Sequence, residues 1–141
     1  MTNYVTLDLE QVIYIHERII EAAGGVQGVR DYTMLHSALE RCKATFGGED
    51  LYPSSLHKAA ALLHSLVMNH AFLDGNKRTA YAVMVRFLNA NGLKVTASQS
   101  EIVTMCVNVD NEGWKVREIL MWLKQRNFHS GSAILKTSRG V

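Results

Sequence analysis

The sequence predicts a mainly α-helical, single-domain protein of about six helices, and three observations carry this prediction. Apolar residues recur at helical spacing over most of the 141 residues. No stretch alternates apolar and polar side chains over the length of an ordinary strand. A chain of this length buries roughly 70% of the surface of its unfolded state, so one core needs no disulfide or metal. Residues 127–141 are poor in large apolar side chains, and we expect a peripheral tail there, after a domain formed by residues 1–126.

The first two helices are marked by capping residues. Residues 7–23 carry an apolar stripe, Asp8 and Gln11 are spaced as a capping box, and a Gly-Gly pair ends the run. Asp31 is a suitable N-cap for a second helix that ends near Lys43. Two helices separated by a glycine-punctuated connection are therefore expected in the first third of the chain.

A short polar segment, residues 44–53, separates the second helix from the third. It contains the only proline of the chain and a Gly-Gly pair, which predicts an exposed loop or a short hairpin. Such a segment is either a plain connector or a flap that handles a substrate, and the residues alone leave both interpretations open.

The third and fourth helices are expected to form a buried hairpin. Ser54 or Ser55 can cap a third helix that reaches about Asn69, and its residues are apolar nearly all round, as in a central helix. Residues 76–89 carry a second apolar face that ends at an Asn-Gly pair. The stretch between these two helices then lies at the apex of the hairpin.

The last part of the chain predicts a short extended segment and two helices. Residues 93–96 form the extended segment, and Ser98 with Glu101 makes a capping box for a fifth helix. Residues 110–113 are expected to form a turn, and residues 115–126 a sixth, amphipathic helix.

Composition and spacing exclude several classes of function. A net charge of +2 is too small to indicate nucleic-acid binding, and no apolar segment is long enough to span a membrane. Cys42 and Cys106 lack metal-ligand spacing and are expected to be reduced core residues. His57 and His64 are seven residues apart, whereas zinc-binding helices usually place two histidines four apart, so His64 is expected to be a packed or hydrogen-bonded core residue. We therefore expect a cytoplasmic protein without nucleic-acid, membrane or zinc partners.

The stretch from His70 to Ala80, with the sequence HAFLDGNKRTA, concentrates the reactive side chains of the chain. It lies where a helix begins, and the first N–H groups of a helix lack intrahelical partners and attract anions. Lys77 and Arg78 add full charges at a position where the helix dipole disfavours cations unless an anion binds there. Asp74 could hold a magnesium ion against the same anion. The sequence thus predicts a phosphate site beside a histidine.

Each of these residues also has a structural interpretation. His70 is a suitable general base at cytosolic pH, or it caps the C-terminus of the third helix. Asp74 is a metal ligand or a helix cap, and Asn76 caps the fourth helix or donates its amide to a phosphate. Gly75 permits a positive φ or a close approach, and Phe72 is expected to anchor the loop through burial of its ring.

The same stretch resembles the signature of the Fic and death-on-curing superfamily, His-x-Phe-x-Asp/Glu-Gly/Ala-Asn-x-Arg at the start of a helix. The matching positions are His70, Phe72, Asp74, Gly75, Asn76 and Arg78. Glycine-rich stretches near residues 24–31 and 45–53 also resemble death-on-curing toxins, so the resemblance covers roughly residues 7–122. It implies a Fic-type helical bundle, with residues 1–126 as the Fic/Doc domain and with a short flap loop or hairpin.

The resemblance also implies roles for the matching residues. In such a protein His70 would deprotonate a Ser or Thr hydroxyl of a target protein, and Asp74 would hold Mg²⁺. The phosphates of a nucleoside triphosphate such as ATP would be bound by Gly75, Asn76, Lys77 and Arg78, with Arg78 also acting in catalysis. The target segment would be aligned by a flap made of Thr45, Phe46, Gly47 and Gly48.

Two departures from the family pattern favour the death-on-curing branch. Adenylylating members usually have glycine where this chain has Lys77, and a second arginine where it has Tyr81. Both changes resemble the branch that transfers the γ-phosphate, which implies a toxin-type protein kinase that acts on a translation factor such as elongation factor Tu and arrests translation. Adenylylation through the same residues, a non-catalytic binding module and an RNA-cleaving toxin are the alternatives.

The sequence lacks the self-inhibitory motif Ser/Thr-x-x-x-Glu-Gly/Asn of other Fic proteins. Glu112 is followed by glycine, but Asn108 stands four residues before it in place of Ser or Thr. The resemblance therefore implies restraint by another chain, as in type II toxin–antitoxin systems, where the disordered tail of a small antitoxin folds onto the toxin.

Overall fold

The computed structural model describes residues 4–129, and over these residues the chain is mainly helical, as the sequence predicts. The six α-helices of this part of the chain are α1 (Leu9–Ala23), α2 (Tyr32–Glu40), α3 (Ser55–Asn69), α4 (Asn76–Ala90), α5 (Gln99–Asn111) and α6 (Val116–Lys124). One turn of 3-10 helix, Arg41–Lys43, extends α2. The predicted capping boxes at Asp8 and Ser98 are both present and fix the starts of α1 and α5.

Helix α3 forms the centre of the fold. It packs against α2, α4, α5 and α6, and nine of its fifteen residues are buried, as its apolar sequence predicts. Three successive alanines, residues 59–61, are fully buried, and their small side chains let the neighbouring helices approach closely. The predicted hairpin of α3 and α4 is confirmed, and residues 70–75 form its apex.

A two-stranded hairpin precedes α3, as the sequence predicts. β1 (Thr45–Phe46) pairs with antiparallel β2 (Glu49–Asp50). Residues 47–48 are the Gly-Gly pair, and both have the positive φ that a two-residue hairpin turn requires. The base of the hairpin is held by Lys58, which is fully buried in α3 and donates to Asp50 Oδ2 at 3.1 Å.

A second small sheet joins distant parts of the chain. β3 (Leu93–Val95) pairs with antiparallel β4 (Asn127–His129). β4 lies at the start of the segment for which the sequence predicts a peripheral tail, and the rest of that segment, residues 130–141, lies outside the described residues. Beside this sheet, Asn91 binds the backbone N–H and oxygen of Val5 at 2.7 and 2.9 Å. The C-terminal end of α4 thus joins the N-terminal segment and the β3–β4 sheet.

Several element ends differ from the prediction. Helix α5 continues through Asp110 to Asn111, so the predicted turn at residue 110 is wrong. The prediction ended this helix at its last apolar residue, whereas the backbone leaves the helical conformation only near Gly113, where φ is 71°. The ends of α1 and α6 differ from the prediction by one or two residues.

Two cysteines and one histidine lie in or near the core. Cys42 and Cys106 are buried and free, as predicted. The Nδ1 of His64 lies 2.7 Å from a guanidinium nitrogen of Arg41, which is the hydrogen-bonded role expected for this histidine. Burial and the charge of Arg41 lower the pKa of His64, so its ring accepts this hydrogen bond in the neutral form. Among residues 4–129, no helix combines the length and the apolar character needed to cross a bilayer.

Candidate functional site

The apex of the α3–α4 hairpin is fixed by the connection between α1 and α2. The backbone N–H of Arg30 donates to the backbone oxygen of Ala71 at 2.7 Å. Val29 and Phe72 form an isolated antiparallel bridge between the two segments. The loop that leads into α4 is therefore paired through its backbone, which restricts its motion although it is not itself a strand.

Phe72 anchors this loop, as predicted, with a ring that is only 3% exposed. It stacks on His16 of α1, with ring centroids 3.9 Å apart and planes 8° from parallel. His16 is 1% exposed, and its Nε2 donates to the backbone oxygen of Asp74 at 2.8 Å. Sequence reasoning missed His16. The available signal was a histidine on the buried stripe of α1, between Val12 and Ile20.

The side chain of Asn76 closes the loop on itself. Its Oδ1 accepts from the backbone N–H of Phe72 at 3.0 Å, and its Nδ2 donates to the backbone oxygen of Phe72 at 3.0 Å. Gly75, not Asn76, is the N-cap of α4, so the predicted cap role of Asn76 is wrong. With its side chain occupied in this way, Asn76 offers its backbone N–H to an anion at the start of the helix.

The start of α4 opens onto a cleft of about 620 Å³. Five predicted site residues line this cleft together, namely Asp74, Gly75, Asn76, Lys77 and Arg78. Gly75 has a φ of 73°, and within the described residues no side chain caps the helix. An anion bound here would meet the positive end of the helix dipole and two cationic side chains.

Asp74 lies at the edge of the cleft with an exposed carboxylate. Its Oδ1 accepts from the N–H of Gly75 at 2.9 Å, and its Oδ2 accepts from the N–H of Val26 at 3.1 Å. Gly25 makes room for this carboxylate, because a Cβ on Gly25 would lie 2.6 Å from Oδ2. Each oxygen keeps a further lone pair, and Mg²⁺ commonly binds one carboxylate together with substrate phosphates and waters. The residues present therefore fit a magnesium ion.

His70 ends α3 in the left-handed region, with a φ of 47° and a ψ of 49°. This conformation costs a non-glycine residue about 1–2 kcal/mol. Arg30 stabilises it by donating from its guanidinium Nε to the backbone oxygen of His70 at 2.8 Å. The imidazole remains 46% exposed. The two sequence interpretations are thus compatible, because the backbone of His70 caps the helix while its side chain stays accessible.

The imidazole of His70 meets a carboxylate that sequence reasoning missed. Asp110 Oδ1 lies 3.2 Å from His70 Nε2, and Asp110 Oδ2 accepts from Lys77 Nζ at 2.9 Å. The hydrogen bond from Lys77 holds the pKa of Asp110 below its usual range, against the opposing effect of burial. The carboxylate is therefore ionised at neutral pH and links His70 to the cleft. The available signal was an acidic residue near the C-terminus of a helix, where the dipole disfavours it.

Tyr81 and Cys106 line the same cleft as uncharged groups. Burial raises the pKa of Tyr81 to about 12 and that of Cys106 to about 11. The Tyr81 ring meets Trp122 edge to face, with centroids 6.4 Å apart, and this contact fixes its position. Tyr81 therefore supplies apolar surface at the position where adenylylating Fic proteins usually carry a second arginine.

The predicted flap residues form the hairpin described above, and all four are exposed: Thr45, Phe46, Gly47 and Gly48. Phe46 is 82% exposed, which leaves a large apolar ring without cover. Lys58 anchors the hairpin near the start of α3, about 18 Å along the helix from His70 at 1.5 Å per residue. None of the four is among the described residues that line the cleft, so the flap and the cleft are separate in this conformation.

The fold and the site together define a helical protein with an anion-attracting helix start beside an accessible histidine. Residues 6–88 match the model of the Fic/DOC family. The chain is 48% identical over 97 residues to a protein named Toxin Doc from Mycolicibacterium smegmatis, a match that covers 69% of this chain and 71% of that protein. It is 30% identical over 86 residues to a protein named Protein kinase doc from Escherichia phage P1, with coverage of 61% and 68%. The chain belongs to the Fic/DOC family, and the resemblance found in the sequence is confirmed.

Proposed function

We propose that this chain is the toxin of a type II toxin–antitoxin system and that it transfers the γ-phosphate of a nucleoside triphosphate, such as ATP, to a Ser or Thr hydroxyl of a target protein. The observation that carries this proposal is the start of α4, which no side chain caps within the described residues and where Lys77 and Arg78 line a cleft. His70 is not among the residues that line this cleft, but it contacts Asp110, which accepts a hydrogen bond from Lys77. The names of the two relatives, a toxin and a protein kinase, support it.

The electrostatics of the cleft favour a polyphosphate. The first N–H groups of α4 and two cationic side chains converge on a volume of about 620 Å³, which is large enough for a nucleotide. Gly75, Asn76, Lys77 and Arg78 are assigned to the phosphates. The side chain of Arg78 makes no hydrogen bond or ion pair within the described residues, so its guanidinium is available to a phosphoryl group during transfer.

His70 is assigned the role of general base. Its exposed imidazole would take the proton of the target hydroxyl as the hydroxyl oxygen attacks phosphorus. Asp74 would hold Mg²⁺, which neutralises phosphate charge when it is bound. The backbone contacts to the Asp74 carboxylate and to the loop keep these two residues in place before substrate arrives.

Two residues favour γ-phosphate transfer over the runner-up function, adenylylation. Lys77 is drawn toward Asp110 by a 2.9 Å hydrogen bond, and this keeps its ammonium group on the His70 side of the cleft. Tyr81 is held against Trp122 and stays neutral, so it cannot supply the second arginine charge of adenylylating proteins. Lys77 therefore lies close to the proposed base, which suits a phosphate group that is attacked there.

The proposed target is a translation factor such as elongation factor Tu, so that phosphorylation arrests translation in the cytoplasm. The exposed hairpin of Thr45, Phe46, Gly47 and Gly48 is proposed to align the target segment, and the uncovered Phe46 ring suits this role. The proposed restraint is an antitoxin whose disordered tail folds onto the toxin.

One labelling experiment tests the proposal. The purified chain is incubated with Mg²⁺, a cell extract and either γ-labelled or α-labelled ATP, and His70→Ala serves as the inactive control. We expect the γ label, and not the α label, to reach protein only with the unmodified chain. Transfer of the α label instead would establish adenylylation. The absence of both labels would support a non-catalytic binding module.

A further inference from the structure

Asp110 is a charged group of the site that lies outside the family signature. It lies on α5, outside the His70–Ala80 stretch, and its two carboxylate oxygens contact two different site residues. Oδ1 lies 3.2 Å from His70 Nε2, and Oδ2 lies 2.9 Å from Lys77 Nζ. The side chain is only 16% exposed, so these contacts lie in a partly desolvated place.

The charge state of Asp110 fixes the proton on His70. An ionised carboxylate can only accept hydrogen bonds, and Lys77 keeps Asp110 ionised. The carboxylate oxygen 3.2 Å from Nε2 therefore favours a proton on that nitrogen, because a lone pair there would face a negative charge. In a neutral imidazole the other ring nitrogen then carries the lone pair. Nδ1, which is not the nitrogen in contact with Asp110, is then the ring atom that is left to accept a proton.

The position of Asp110 is unfavourable without such a partner. It is the penultimate residue of α5, where the helix dipole disfavours an anion. Its neighbour Glu112 is exposed at the same helix end, and within the described residues it makes no ion pair. The two contacts to His70 and Lys77 offset the dipole at Asp110, and Glu112 provides a comparison residue of the same charge.

We infer that Asp110 is a positioning residue for the proposed transfer reaction: it holds His70 in the Nε2–H tautomer and thereby assigns Nδ1 as the atom that deprotonates the target hydroxyl. This inference rests on the proposed function. The target O–H bond breaks as its proton moves to Nδ1, and the hydroxyl oxygen forms a bond to the γ-phosphorus. The bond between that phosphorus and the bridging oxygen breaks, and the nucleoside diphosphate leaves.

Asp110 also balances the charge that forms during this step. When Nδ1 accepts the proton, the imidazole becomes a cation whose Nε2 already lies 3.2 Å from a carboxylate oxygen. Such a partner stabilises the cation and fixes the ring orientation without itself taking the proton. After transfer, His70 releases the proton to solvent and returns to the Nε2–H tautomer.

The tautomer is measured directly by long-range ¹H–¹⁵N correlation of the imidazole rings at a pH where they are neutral. The chain has six histidines, and the His70 signals are those that disappear in His70→Gln. We expect a fixed Nε2–H tautomer in the unmodified chain and a mixture of both tautomers in Asp110→Ala. The inference is overturned if the unmodified chain has the Nδ1–H tautomer. It is also overturned if Asp110→Ala has the same tautomer as the unmodified chain. Both outcomes count against it even if the chain is a kinase.

Kinetics separate positioning from a purely structural role. In Asp110→Ala we expect kcat for γ-phosphate transfer to fall about 100-fold, as for a misplaced catalytic group, with KM for ATP not raised. Asp110→Asn keeps an acceptor for Nε2–H without the charge, so its kcat should lie between that of the unmodified chain and that of Asp110→Ala. Glu112→Gln, which removes the neighbouring charge, should leave kcat unchanged. A rise in kcat/KM in Asp110→Ala would mean that Asp110 restrains the site, and it would overturn the inference.

The two kinds of failure are distinguishable. If the unmodified chain transfers no γ label, the proposed function fails, while the tautomer measurement still decides whether Asp110 orients His70. Thermal unfolding of Asp110→Ala and Asp110→Asn, followed by circular dichroism, identifies a variant that does not fold. If Asp110→Ala does not fold, the kinetic test uses Asp110→Asn, which matches the side-chain shape of aspartate.

Discussion

The ring of His16 stacks 3.9 Å from the ring of Phe72, and its Nε2 donates to the backbone oxygen of Asp74, so one buried side chain of α1 holds the loop before α4 at two points. We expect His16→Ala to destabilise the fold by about 2–4 kcal/mol through the lost ring contact and cavity. His16→Phe keeps the ring contact and loses only the hydrogen bond, so its free energy of unfolding should fall by about 1–2 kcal/mol. Urea denaturation of both variants measures the difference, and equal losses would show that the ring contact contributes nothing beyond the hydrogen bond.

Gly25 and Gly24 form a matched pair that tests the role of Asp74. Both have positive φ, but a Cβ on Gly25 would lie 2.6 Å from Asp74 Oδ2, whereas a Cβ on Gly24 meets nothing within 4 Å. We expect each alanine variant to lose on the order of 1–2 kcal/mol of stability through backbone strain.

Only Gly25→Ala should displace the Asp74 carboxylate, and its γ-phosphate transfer should require a higher Mg²⁺ concentration. Titration of the transfer rate with Mg²⁺ measures this shift. The same Mg²⁺ dependence in Gly24→Ala and Gly25→Ala would contradict the assignment of Asp74 as the magnesium ligand.

The Lys77–Asp110 contact predicts a dependence of stability on pH. The folded-state pKa of Asp110 is lowered. Its contribution is therefore present above the unfolded-state pKa of about 3.9, and it is lost as the pH falls through the folded-state pKa. We expect the unmodified chain to exceed Asp110→Asn in unfolding free energy by on the order of 1 kcal/mol at neutral pH. This difference should shrink below about pH 4, whereas a constant difference down to pH 3 would show that the contact does not depend on ionisation.

The thiol of Cys106, which lines the cleft, is expected to be unreactive in the folded protein. Burial raises its pKa to about 11, so only about one thiol in a thousand is ionised at pH 8, and the side chain is 3% exposed. We expect alkylation of Cys106 by iodoacetamide to follow the rate of unfolding, as measured by mass spectrometry in Cys42→Ser. Labelling within minutes under native conditions would mean that the cleft opens as far as α5.

The sequence predicted the parts of the site that are contiguous in the chain. The stretch from His70 to Arg78 indicated a loop before a helix, and Asp74 to Arg78 do line one cleft. A helix N-terminus is a local feature, so local residues are sufficient to identify it. The central position of α3 was predictable for the same reason, because its apolar residues extend round the whole helix.

The parts that were missed depend on contacts between distant segments. His16 is 58 residues from its partner Asp74, and Lys77 is 33 residues from Asp110. Helical periodicity shows which face of α1 is buried, but not which loop that face meets. β4 was missed because a strand of three residues carries too short a pattern to separate it from a polar tail.

The contact between Asn91 and Val5 has a practical consequence for attachment. It lies beside the β3–β4 sheet, at the opposite end of α4 from Gly75, and fifteen helical residues span about 22 Å. Val5 and strand β4 therefore both lie near the end of α4 that is farther from the cleft. A fluorescent label or a surface linker attached at Val5 is expected to leave that cleft open, so immobilised protein should bind the proposed nucleotide as the free chain does.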